Sequence, residues 1–125
     1  MQNLDQIRAD NTLLVARVKA PPPGVDPPNK PDEKAVDKLP AMIVNNGLLA
    51  AAAFALKKGE GLADAMDAVA WHLSDLRIGR LPSGCRRSQP MLNHLAGTTS
   101  DRLRLATDEA LAFLSYLKRL GNSED

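Results

Sequence analysis

Few side chains in this sequence have the types and spacing that chemistry needs. Cys85 and His94 lie nine positions apart and would be a thiol nucleophile and its base. Such a pair also needs a residue to orient the base and donors to hold an oxyanion. Neither is visible, so the plainer reading is a loop cysteine and an unrelated histidine. His72 and Asp75 stand one helical turn apart and could share a metal. A zinc site takes three or four ligands, and no others have matching spacing, so the pair reads as a solvated helix face. Asp64 and Asp67 read as charges in a first helical turn, where the N-terminal end of the macrodipole favours them. No glycine loop could cradle a phosphate. The sequence therefore predicts no catalytic residue, no cofactor and no metal.

Charge placement says more than any of these motifs. The chain has 125 residues and a net charge of only +1, so it is not basic as a whole. Yet from Arg77 to Arg104 there are six arginines (Arg77, Arg80, Arg86, Arg87, Arg102, Arg104) against one acidic residue, Asp101. Lys57–Lys58 and Lys118–Arg119 are further basic pairs. A local excess of this kind can follow a phosphate backbone, or it can be a solubilising face. Aromatic residues make up only 3% of the chain, so contact with phosphates is expected rather than stacking on a run of bases.

These residues must be positioned by helices. No stretch alternates as a strand does, and no repeat of fixed period is present. Leu4, Ile7, Leu14 and Val18 lie on one face and predict a helix over 3–19. "APPPGVDPPNKP", residues 20–31, holds six of the nine prolines and reads as a polyproline spacer. Extended, it would reach roughly 35 Å. Pro28 to Pro31 also fits a PxxP ligand. The next helix opens at Asp32 or Glu33 and runs to Lys58, with Pro40 expected to kink or break it near Leu39. Leu62, Met66, Val69, Leu73 and Leu76 form the stripe of a helix over 62–78, stopped by Gly79. Ser88 caps a short helix over Met91, Leu92 and Leu95. Ser100 caps the last one, over 101–120, stopped by Gly121. The expectation is an all-α bundle of about five helices in a single domain: helix 1–19, spacer 20–31, core 32–121 and tail 122–125. The longest apolar run, Leu48 to Leu56, is too short to span a bilayer. Asp5 and Asp10 stand where a secretion signal would be apolar, and the lone Cys85 suits a reducing compartment, so a cytoplasmic location is expected.

One stretch is unusual for a helix: "LPAMIVNNGLLAAAAFALKK", residues 39–58, with a proline, two asparagines and a glycine in apolar surroundings. With Leu39, Pro40, Met42, Ile43, Asn46, Gly47, Leu48, Phe54 and Lys57, it resembles a segment of the small subunit of the type III-B CRISPR effector, the Cmr complex. "LRLATDEALAFLSYLKRLG", with Arg104, Thr107, Glu109, Ala110, Leu117, Lys118 and Arg119, is similar to that family's C-terminal pattern. Leu103 departs from the family's tyrosine and Tyr116 from its tryptophan. Leu120–Gly121 replaces its phenylalanine–alanine.

The resemblance implies a non-catalytic subunit whose copies stack in a filament with other Cmr subunits, along the groove that holds guide RNA and target RNA. Residues expected at the RNA backbone are Arg86, Arg87, Arg102, Arg104, Lys118, Arg119 and Lys57. Asn45 and Asn46 are expected at a contact with another subunit, and Gly47 with the alanines would allow close helix approach. No membrane or small-molecule substrate is implied. The competing readings are a helical adaptor that does not bind RNA and the small subunit of the type III-A (Csm) complex.

Overall fold

A computed structural model describes residues 2–120. Gly121 and the tail at 122–125 lie outside the described residues. All regular structure in it is helical: α1 (Leu4–Val15), α2 (Glu33–Asn46), α3 (Leu48–Lys58), α4 (Glu60–Leu73), α5 (Ser88–Ala96) and α6 (Ser100–Leu120). The fold class is the expected one, with six helices where about five were predicted, because 32–58 forms two helices instead of one.

The break falls at Gly47 rather than near Leu39. Pro40 sits inside α2 and the helix continues through it to Asn46. Proline removes one ladder bond, but Leu39 and Ile43 on either side are fully buried, and their packing holds the helix together. Gly47 adopts φ 90° and ψ 157°, a conformation open essentially only to glycine. Its N–H donates to the Ile43 carbonyl at 2.8 Å, and its own carbonyl accepts from Ala51 N–H at 3.1 Å. One residue thus ends α2 and starts α3. No atom lies within 4 Å of a Cβ built there, so Gly47 serves the turn and not a close approach of helices. The alanines divide: Ala51, Ala52 and Ala55 are in the core, whereas Ala50 and Ala53 face out.

Helix α4 lies at the centre and touches every other helix. Ala65, Met66, Ala68, Val69, Ala70 and Leu73 are all buried along it. It ends at Ser74 instead of running to Ile78. In the turn that follows, the Leu73 carbonyl accepts from both Arg80 and Leu81 N–H. Ile78 and Leu81 point inward, while Leu76, expected on the stripe, is 85% exposed. Asp67 therefore belongs to the middle of α4, not to a first turn. It caps α5 across the bundle, accepting from Ser88 N–H at 2.8 Å and from Ser88 Oγ at 2.6 Å. Ser88 is a buried donor to that carboxylate, and Arg87 occupies the cap position. At the start of α6 the cap is Thr99, whose Oγ1 accepts from Arg102 N–H at 3.2 Å.

Helix α1 starts on an Asn3–Gln6 capping box and packs on α6 and α4. Ile7, Leu14 and Val15 are buried, but Leu4 in the first turn is 38% exposed, and Val18 is 58% exposed because the helix stops at Val15 before reaching it. The proline-rich segment is no free spacer. Arg17 takes a left-handed backbone at φ 63° and sends its guanidinium to the Pro28 carbonyl at 2.8 Å. Asn29 bonds Asp64, and Pro31 is buried. Pro21 to Gly24, by contrast, form an exposed turn closed by Val25 N–H to the Pro22 carbonyl at 3.1 Å.

Candidate nucleic-acid interface

The seven basic residues expected at the RNA backbone are all exposed and fall in several places, whereas Arg80 is half-buried. Lys57 is in the last turn of α3. Arg86 and Arg87 lie on the loop before α5, which packs chiefly on α3 and α4. The Arg86 Nε–H donates to the Ser83 carbonyl at 3.1 Å, and Arg87 lies 3.8 Å from Asp67. Arg102, Arg104, Lys118 and Arg119 share the unbroken α6. At about 100° per residue, Arg102 and Arg104 leave that helix on opposite sides. Arg104 and Lys118 emerge within about 40° of each other and about 21 Å apart along the axis.

Partners sort these cations further. Arg104 sits 3.3 Å from Asp101, and Lys118 reaches Asp37 of α2 at 4.0 Å. Both are loose pairings at exposed positions, the kind that contributes little to stability and that a phosphate can displace. Arg119 donates to Ser115 Oγ. Among the described residues, Lys57, Arg86, Arg102 and Arg119 have no carboxylate partner. Asn45 and Asn46 are exposed at the end of α2. Asn46 borders a shallow groove of about 530 Å³ with Met42, Ala50, Ala51 and Phe54. Phe54 is 48% exposed and nearby Val44 69%.

The helices that carry this surface are registered by a buried polar cluster. His72 is fully buried, not on a solvated face. Its ring stacks on Phe113 of α6 with centroids 4.1 Å apart and planes 6° from parallel. Nε2 lies 2.9 Å from Glu109 Oε2, and Nδ1 lies 2.9 Å from the Asn11 amide. Asn11 Nδ2 also donates to Asp75 at 3.1 Å, and an amide nitrogen has no acceptor to offer. The arrangement therefore calls for a neutral ring with its proton on Nε2, donated to the carboxylate. Burial lowers the His72 value below its ordinary one and outweighs the Glu109 carboxylate, which pulls it up.

Glu109 also receives the fork of Arg8 from α1, with two bonds of 2.7 Å. Burial would raise its carboxyl, but the Arg8 fork and the His72 N–H hold it down at about 2. Asp75 is treated alike. Burial raises it, and the Arg77 guanidinium and backbone N–H, with Asn11, bring it to about 2. At the cluster's edge Tyr116 donates to Asp5, tying α6 to the first turn of α1.

Every polar group in this cluster is met by another, which marks it as a structural lock. Cys85 packs half-buried against the core and is unconnected to such chemistry. Among the described residues no three His, Cys, Asp or Glu side chains are placed to hold a metal. The sequence reading missed Arg8, Asn11 and Glu109 as interacting groups. A signal was present, because Glu109 falls on the α6 stripe with Ala106, Ala110 and Phe113, and His72 lies between the apolar residues Trp71 and Leu73.

Residues 26–124 match the family described as CRISPR-associated protein (Cas_Cmr5). The chain belongs to that family. It is thus a Cmr5-type small subunit of the type III-B CRISPR complex, which decides against the type III-A reading. Comparisons with curated proteins and with solved structures give no match. The matched region takes in α2 to α6 and leaves out α1, whose Arg8 and Asn11 complete the lock. Among the described residues no helix is long and apolar enough to cross a membrane.

Proposed function

We propose that this Cmr5-type subunit is non-catalytic and contacts the backbone of guide or target RNA through Arg86, Arg87, Arg102, Arg104, Lys57, Lys118 and Arg119. It acts in the cytoplasm, beside other Cmr subunits and copies of itself. The observation that carries the reading is the family match over residues 26–124, joined to a set of exposed cations held loosely or not at all by carboxylates. Arg104 and Lys118 on one side of α6 suit two phosphate contacts along a strand. The groove beside Asn46, with exposed Phe54 and Val44, suits contact with a neighbouring subunit, and Asn45 and Asn46 supply its polar rim. A single copy binds RNA weakly, and stacked copies gain by avidity.

The test is the combined variant Arg86→Glu, Arg87→Glu and Arg104→Glu in the assembled complex. Target RNA affinity is expected to fall. Its dependence on salt should flatten as well, because every phosphate no longer neutralised takes about 0.7–0.9 off the logarithmic salt slope. Unchanged binding at low and moderate salt, with folding intact, would remove the RNA role and leave an adaptor. Cleavage of labelled RNA that follows the pure protein through chromatography would remove the non-catalytic assignment.

A further inference from the structure

Between the end of α1, the proline-rich turn and the loop after α4 lies a cleft of about 660 Å³. That is within the range of sites that hold small ligands. One wall is apolar, made by Leu14, Val25 and the half-buried indole of Trp71. The remainder is charged, but most of those charges are spent on each other. Lys19 binds Asp10 at 2.5 Å, and Arg77 binds Asp75 at 2.8 Å. Among the described residues, only Arg86 and Asp26 line the cleft without an ionic partner.

We propose that this cleft receives one unpaired nucleotide of RNA, with its base against Trp71 and its phosphate at Arg86. The inference rests on the RNA reading above and adds a site to it. An aromatic wall beside one unspent guanidinium fits a flat ring joined to one phosphate, since stacking tolerates any base and Arg86 supplies the anion contact. Asp26 on the proline-rich side repels a phosphate and so sets the direction in which the nucleotide lies. A paired base in a duplex is stacked on its neighbours and cannot enter. Trp71 and Arg86 lie within the region that the family match covers, whereas the wall facing them, from Asp10 to Val25, lies outside it.

Trp71 is the chain's single tryptophan, so its emission reports on this cleft directly. The experiment titrates the full chain with adenosine monophosphate and with a single-stranded oligoadenylate, using a blunt RNA duplex and inorganic phosphate for comparison. Saturable quenching by the first two and none by the others is expected. Arg86→Gln should weaken the quenching several-fold, and Trp71→Phe should weaken oligoadenylate binding, read by anisotropy, by up to about tenfold. If labelled oligoadenylate binds the chain while Trp71 emission stays constant, the cleft proposal is wrong and the RNA reading stands. If no nucleotide or RNA binds the chain at all, the cleft proposal is also wrong, and the variant complex above decides the RNA reading separately.

Discussion

Helix α1 and helices α2 to α4 are held to the rest of the molecule in different ways. Leu39, Ile43, Leu48, Met66 and Val69 bring α2, α3 and α4 together through aliphatic surface alone. Helix α1 buries Ile7, Leu14 and Val15, but its register is fixed by Arg8 on Glu109 and by Asn11 on His72 and Asp75. Aliphatic packing tolerates a change of neighbour of similar volume. A two-pronged ion pair on a buried carboxylate tolerates none, since a slip of one residue leaves charge unmet. The apolar half supplies most of the burial, and the polar half says where α1 must sit.

The largest expected effect tests that division. Glu109→Ala leaves the Arg8 fork and the His72 N–H without an acceptor, so it should cost about 3–5 kcal/mol. Leu39→Ala empties a fully buried site and should cost about 2–5 kcal/mol. The two differ in how they respond to acid. Urea unfolding at pH 5 and pH 3 should show the same loss for Leu39→Ala at both values, and a smaller loss for Glu109→Ala at the lower pH, where the contribution of the carboxylate is already fading. Equal behaviour would mean that the lock contributes only packing.

The same contrast explains what could be read in the sequence. The class and most of the helices follow from apolar periodicity, because the core is aliphatic and its positions repeat every three or four residues. Periodicity misled where a turn could continue the burial without a helix, as from Ser74 to Leu81. Pro40 does not break its helix because buried neighbours on both sides outweigh one missing bond. His72, Asn11 and Glu109 come together from positions 11, 72 and 109, and nothing local pairs them. A lone histidine and a lone glutamate look solvated until the fold is known. The exposed arginines were legible because local charge excess survives folding. Their distribution around α6 and the loop was not, because it depends on how α5 packs.

Acid should sharpen the comparison next. A histidine held below its ordinary 6.5 resists protonation in the folded state, so its contribution to stability is lost as pH falls below about 6.5. Glu109, lowered from 4.5 to about 2, contributes stability that is complete above about 4.5 and disappears as pH drops toward 2. That second stage is on the order of 3 kcal/mol. Both stages destabilise in acid. His72→Gln should flatten the first, below about pH 6.5, and leave the second. If unfolding of the unaltered chain shows no change between pH 7 and 5, the neutral buried ring is wrong.

A smaller effect belongs to the aliphatic half. Gly47→Ala meets no atom, so its whole cost is backbone strain, about 2 kcal/mol. Helix content by circular dichroism should barely change, because α2 and α3 remain helical on either side. A loss above about 4 kcal/mol would mean that the junction also packs against something.

The smallest effect is expected in the exposed turn that leads back from α1. Gly24 has φ 84° with nothing within 4 Å of a Cβ, so Gly24→Ala should cost about 1 kcal/mol from the left-handed backbone alone. Pro21 to Gly24 are exposed and share no partner with the lock, whereas Arg17 and Pro31 fasten the two ends of the segment. The double variant Gly24→Ala with Glu109→Ala should therefore lose the sum of the two single losses to within about 0.5 kcal/mol. Additivity would mean that α1 is held by its own packing and hydrogen bonds and that the turn merely follows. A coupling larger than about 1 kcal/mol would show instead that the proline-rich segment helps to press α1 into place, and the separation drawn between the two halves of the molecule would have to move to include it.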